Sequence, residues 1–191
     1  MSLSNIVLYF SILVWSTIPF RHAGKKYFYF FYFYALLDPL TLYLRILFHS
    51  GSNFFFIPIH FIMLISLFEK RLIIKYKSPL ITILVILSLI NFKINLLSFL
   101  LLLSLINLLI LLKFFKEIIS PSNINKGINI FLVFLFLNMI TEILQYLGDY
   151  MGYLNGYFYF YLSLAFETLL GLFFWIFKED NPKLLIKLYK N

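Results

Sequence analysis

Seven apolar runs, each parted from the next by a short polar stretch, leave this chain few ways to fold. They cover residues 6–20, 27–48, 54–68, 79–92, 94–112, 128–147 and 157–177. A helix that crosses a bilayer needs roughly 20 apolar residues, with about 17–25 usual. Four of the runs meet that length, while the first, third and fourth are short and must borrow flanking residues or sit in a thinned bilayer. The chain is 62% hydrophobic and 13% charged over 191 residues. A soluble domain averages about 45–50% apolar and about 25% charged residues, and a fold of this size has too little interior to hide the excess. Lipid is the natural solvent for it. The expectation is an all-α polytopic membrane protein of about seven transmembrane helices. Residues 1–177 would form one helical domain and 178–191 a basic cytoplasmic tail.

The fourth and fifth runs need arbitration. Read as one helix, 79–112 would extend about 50 Å at 1.5 Å per residue, too long for a hydrocarbon core of about 30 Å. Asn91, Lys93 and Asn95 mark the break, although no Gly or Pro sits there. Charge then tests the count. Arg21, Lys25 and Lys26 follow the first run, and Lys70, Arg71, Lys75 and Lys77 the third. Lys113, Lys116 and Lys126 follow the fifth, and Lys178, Lys183, Lys187 and Lys190 the seventh. With seven crossings these fourteen share a face, and only Arg45 and Lys93 fall toward the other. Excess Lys and Arg mark the cytoplasmic side, so the N-terminus is expected outside and the C-terminus inside.

The first run is expected to stay on the chain, because its positive charge follows the apolar stretch and a secretory signal carries it before. In the tail, Asp180 or Asn181 can cap a helix with Pro182 at its first position. Lys183, Lys187 and Lys190 would then share a face opposite Leu184, Leu185 and Leu188, as in a helix lying on anionic lipid. A second regularity links two hairpins. Asp38 precedes an aromatic run at 54–56, and Glu142 precedes another at 157–161. Two parallel three-helix units joined by the fourth helix, a 3+1+3 plan, would suit this spacing, and parallel repeats occur among membrane transporters.

Composition excludes several chemistries. The chain has no cysteine, which removes disulfides, thiolate nucleophiles and Cys-ligated metals. The net charge of +8 does not indicate nucleic acid, because the basic residues sit in short loops and not along one polar face. Only three of the sixteen basic residues are Arg, which suggests an AT-rich, bacterial genome and hence an inner, plasma-membrane location. There is no H-E-x-x-H, P-loop or G-x-S-x-G motif, and no Lys at a span centre for a retinal-type Schiff base. No cofactor is expected. A metal held by Asp38, His60, Glu142 and Glu167 would suit the donor types, but no ligand spacing on one helix supports it.

Ionisable groups within a bilayer cost several kcal/mol and face protein or water. Asp38 and Arg45 lie seven residues apart in the second run, nearly eclipsed on a helix, with Thr41 and His49 on the same stripe. Asn138, Glu142, Gln145 and Asp149 form a stripe in the sixth. Glu167 sits in mid-seventh run between Ser163 and Gly171, and His60 follows Pro58 in the third. Asp38, Arg45, His60, Glu142, Gln145 and Glu167 are therefore the candidate ligand- or proton-binding residues, with Arg45 as counter-ion. Their depths converge on a cavity open to the outer side. His60 also reads as a structural histidine, and Asp149 as a loop residue. The aromatic runs at 27–34 and 157–161 read first as headgroup-level anchors.

The leading reading is a protein that binds or transports a small molecule, ion or lipid headgroup at this polar site. A membrane-embedded lipid-modifying enzyme with paired carboxylates, and a non-catalytic subunit of a larger membrane complex, are the alternatives. Reporter fusions at the two ends are expected to report opposite compartments; both ends in one compartment would remove the odd number of crossings.

Overall fold

Asn95 breaks the longest apolar stretch of the chain. Its side-chain carbonyl accepts the Ser98 N–H at 2.8 Å, which satisfies one of the amides that a helix start leaves open. One helix therefore ends at Asn91 and the next begins at Leu96, as the sequence expected. The computed structural model describes residues 3–48, 55–91, 94–120, 127–151 and 157–186. Among these lie eight α-helices. They are α1 (Leu3–Arg21), α2 (Phe28–Phe48), α3 (Phe56–Ser66), α4 (Lys70–Lys75), α5 (Lys77–Asn91), α6 (Leu96–Ile118), α7 (Ile130–Met151) and α8 (Tyr157–Ile176). The all-α expectation holds. Two of the described helical segments, Leu96–Ile118 and Ile130–Gly148, are long and apolar enough to cross a membrane. Four others, Ile6–Arg21, Phe56–Ser66, Lys77–Ile90 and Leu162–Ile176, are apolar but shorter.

Two expectations change. The third run yields only the 11 residues of α3, about 16 Å of rise. The backbone turns after Ser66 and restarts as α4, whose basic and apolar residues lie in the stretch read as a loop. The tail does not continue as a helix through 185–186. Asn181 accepts the Lys183 N–H at 3.0 Å and Pro182 opens a single 3-10 turn, as the capping residues suggested. Leu184 is then buried, and Leu185–Ile186 extends to pair antiparallel with Ile128–Asn129. Pairing satisfies backbone groups that a surface helix would have satisfied internally. Residues 187–191 lie outside the described residues.

The helices pack in register around aromatic side chains. Phe30, Phe31, Phe114, Phe131 and Phe174 are almost wholly inaccessible. Ring centroids lie 5.3 Å apart for Phe30–Phe114, 5.2 Å for Phe31–Phe174 and 5.1 Å for Phe131–Phe174. These contacts join α2, α6, α7 and α8. Against them, α1 and α8 run parallel: Trp15 donates to the Glu167 carbonyl at 3.3 Å, and Arg21 to the Ile176 carbonyl at 3.0 Å. Gly171 permits the approach, because a Cβ there would stand 3.0 Å from the Trp15 ring nitrogen.

One end of the bundle is held by polar contacts. Gly24, at φ 75°, turns the chain from α1 to α2 in a conformation that glycine adopts without strain. Glu179 accepts the backbone N–H groups of Lys26 at 2.8 Å and Tyr27 at 3.2 Å, so a carboxylate beyond α8 meets the start of α2. Lys26 pairs with Glu117 at 2.7 Å, and the Tyr27 hydroxyl donates to the same carboxylate. Lys25 pairs with Asp180 at 2.6 Å. The Lys113 ammonium stands 5.0 Å from the Phe68 ring centre, which brings the end of α3 to this face as well. Lys25 and Lys26 after α1, Lys113 of α6, Phe68 just past α3 and Asp180 after α8 thus gather at a single end.

His22 is buried at this end, with Nε2 3.0 Å from the Phe174 carbonyl. A carbonyl only accepts, so Nε2 carries the hydrogen and Nδ1 is the unprotonated nitrogen. Burial lowers the His22 pKa, against smaller upward effects of the Phe174 bond and Glu179. The unfolded chain therefore takes a proton that the folded one resists. Stability is expected to hold above about pH 6.5, the unperturbed histidine value, and to fall as pH drops below it. Denaturant unfolding in detergent across that range should show the slope, and His22→Gln should flatten it.

Candidate functional site

Tyr34 and Asp38 lie one turn apart on α2, as do Glu142 and Tyr146 on α7. Residues four apart share a helix face, and the packing turns these two faces toward each other. The buried Tyr34 hydroxyl donates to Glu142 Oε1 at 2.6 Å. The Tyr146 hydroxyl, one turn further along α7, is near the same carboxyl. Asn138, one turn before Glu142 and fully buried, approaches the Tyr34 hydroxyl without reaching hydrogen-bond geometry.

Two further carboxyls complete the cluster. Glu167 of α8 is half-buried, and Ser163 donates to it at 3.4 Å, a long and weak bond. It interacts through the field with both Glu142 and Asp38, and Asp38 with Glu142. Exposure rises from buried Glu142 through half-buried Glu167 to exposed Asp38. The three carboxyls thus differ in exposure, with Glu142 the most enclosed and Asp38 the least. Pro39 adds an acceptor beside it, because it has no N–H to donate to the Ala35 carbonyl.

Both ion pairs among the described residues, Lys25–Asp180 and Lys26–Glu117, lie at the basic end, away from these carboxyls. No three His, Asp or Glu side chains among the described residues stand close enough to share a metal ion. Asp38, Glu142 and Glu167 sense one another's charge but do not form a ligand shell.

His60 is buried on α3 and its Nδ1 stands 2.7 Å from the Phe56 carbonyl. That contact assigns the hydrogen to Nδ1 and leaves Nε2 as an acceptor with no hydrogen-bond partner. The ring packs edge-on to Tyr146 at 6.0 Å. His60 thus borders the cluster through Tyr146 and is not one of its acids. Gln145 is half-buried on α7. The Arg45 side chain, proposed as the counter-ion, lies outside the described residues, as do the His49 and Asp149 side chains.

Tyr34 and Tyr146 are the functional residues that sequence reasoning missed. Tyr34 ended an aromatic run taken for an interfacial anchor, yet its spacing of four from Asp38 carried the signal, as did that of Tyr146 from Glu142. Comparison of the chain with protein-family models, with curated proteins and with solved structures gives no match.

A buried carboxyl that loses a hydroxyl donor keeps its desolvation cost without that compensation. Tyr34→Phe is expected to destabilise the protein by about 1–3 kcal/mol in denaturant unfolding. The same change in a Glu142→Gln background should cost less. Equal costs in the two backgrounds would show that the two side chains do not interact.

Proposed function

We propose that the chain is a seven-helix polytopic membrane protein whose carboxyl cluster binds and exchanges protons or a small cationic solute reached from the outer side. The distribution of polarity supports the membrane reading. Asn107, Asn138, Glu142 and His60 face inward, while Leu105, Leu108, Leu109 and Leu112 of the same bundle face out. A water-soluble bundle shows the reverse arrangement. The gathering of basic stretches at one end supports an odd number of crossings with that end inside. On this reading α1, α2, α3, α5, α6, α7 and α8 cross, and α3 with α4 forms the shortest passage.

The observation that carries the functional reading is the hydrogen bond from Tyr34 to Glu142 with two more carboxyls in electrostatic range. Like charges in a low-dielectric site repel strongly. A bound proton or cation relieves that repulsion, whereas an anionic headgroup adds to it. Asp38 is the outer gate of the site, Glu167 the middle group and Glu142 the oriented acceptor. Tyr34 and Tyr146 fix its geometry. Transport then requires the cluster to face each side in turn.

The test is flux in liposomes. The reconstituted chain, with a pH-sensitive dye inside and an imposed potential, is expected to move protons. Glu142→Gln and Glu167→Gln should each reduce the rate about tenfold or more, the effect of losing one charge-assisted interaction. Rates unchanged in both variants would remove the carboxyls from the pathway.

A further inference from the structure

A groove of about 340 Å³ opens between α3, α4 and α5, well away from the carboxyl cluster. Its walls include Leu64 and Phe68 from the end of α3, Ile73 and Tyr76 from the α4 segment, and Leu80 and Ile83 from α5. The lining is hydrocarbon apart from the Tyr76 ring and hydroxyl. Its rim is charged in one sense. Lys70, Arg71, Lys75 and Lys77 are all exposed beside it, against Glu69 alone. Lys113 adds a fifth cation, placed over the Phe68 ring that forms one wall.

We infer that this groove holds one acyl chain of an anionic phospholipid whose phosphate is bound by the rim of Lys70, Arg71, Lys75 and Lys77. The inference rests on the membrane reading above, and it uses none of the carboxyl residues. A single amphiphile matches both features: the apolar walls take a hydrocarbon chain, and the adjoining cations take a negative headgroup. Basic pockets between helices at a cytoplasmic face commonly recognise such headgroups. A second copy of this chain is a poor occupant, because two rims of the same sign would meet. The six residues of α4 explain the shape. Leu72 and Ile73 of this helix line the groove, while its Lys70, Arg71 and Lys75 are exposed with stems long enough to bring their charges to the groove's edge.

The purified full chain in detergent, titrated with phosphatidylglycerol or phosphatidylcholine and weighed by native mass spectrometry, tests this. Phosphatidylglycerol should be retained roughly tenfold more strongly, since each basic contact near a surface contributes on the order of a few-fold or more. The combined Lys70→Gln, Arg71→Gln and Lys75→Gln variant should bring the two lipids level. Ile83→Trp, which fills the groove, should lower retention of both. Lys178→Gln with Lys183→Gln, at the tail, should leave the preference intact. Equal retention of both lipids by the native chain would overturn the inference. So would a preference that survives the rim variant, one lost with the tail variant, or a dimer that Ile83→Trp dissociates with no change in bound lipid. Retention is read by mass and proton flux by dye in liposomes, so failure of the groove and failure of the carboxyl site are seen in separate measurements.

Discussion

Glu179 and Glu117 set the register on which the interior depends. Glu179 holds the first amides of α2 from beyond α8, and Glu117 at the end of α6 takes both the Tyr27 hydroxyl and the Lys26 ammonium. Three chain segments are thereby fixed against each other at one end. Tyr34 lies seven residues past Tyr27, about 10 Å along the helix and on nearly the same face. With Tyr27 anchored, Tyr34 arrives at the depth of Glu142. The phenylalanine contacts between these two levels keep the spacing, since close-packed rings do not slide without opening voids. The bond at Tyr34 is thus a consequence of the bond at Tyr27, carried by two helical turns.

This arrangement also explains why the polar interior is tolerated. A buried carboxyl without partners costs far more than one given oriented hydroxyls. Glu142 accepts such a hydroxyl from Tyr34 of α2, with the Tyr146 hydroxyl near it and Asn138 on the same face. Glu167 has only a long contact to Ser163 and is less buried. The best-supported carboxyl is therefore the deepest, and the one with exposed surface, Asp38, is the one with least need of protein partners. Support follows burial, as the energetics of desolvation require.

Much of this was legible in the sequence. The order of the helices follows from the apolar runs, and the break near Asn95 from Asn91, Lys93 and Asn95 in a stretch too long to be one helix. Asp38, Glu142 and Glu167 stood out because charged residues within apolar runs are rare and face protein or water. The remainder depended on partners far apart in the chain. Nothing local says that Tyr34 meets Glu142 across 108 positions, because a tyrosine in an aromatic run looks the same whether it meets lipid headgroups or a carboxylate. The tail misled for a related reason. Its capping residues do form a turn, but pairing with Ile128–Asn129 and burial of Leu184 then outweigh the weak preference of a short helix. For α3, apolar run length overstated the helix, because composition does not show where the backbone turns toward α4.

The two sites divide the bundle by charge. The interior cluster is acidic and graded in exposure; the groove at the α3–α4–α5 end is apolar with a basic rim. An anionic amphiphile attracted to the rim is repelled by the cluster, and a proton or cation attracted to the cluster is repelled by the rim. α3 is the element they share, since His60 on it packs against Tyr146 of the cluster and Leu64 and Phe68 beyond it wall the groove. Movement of α3 would alter both at once.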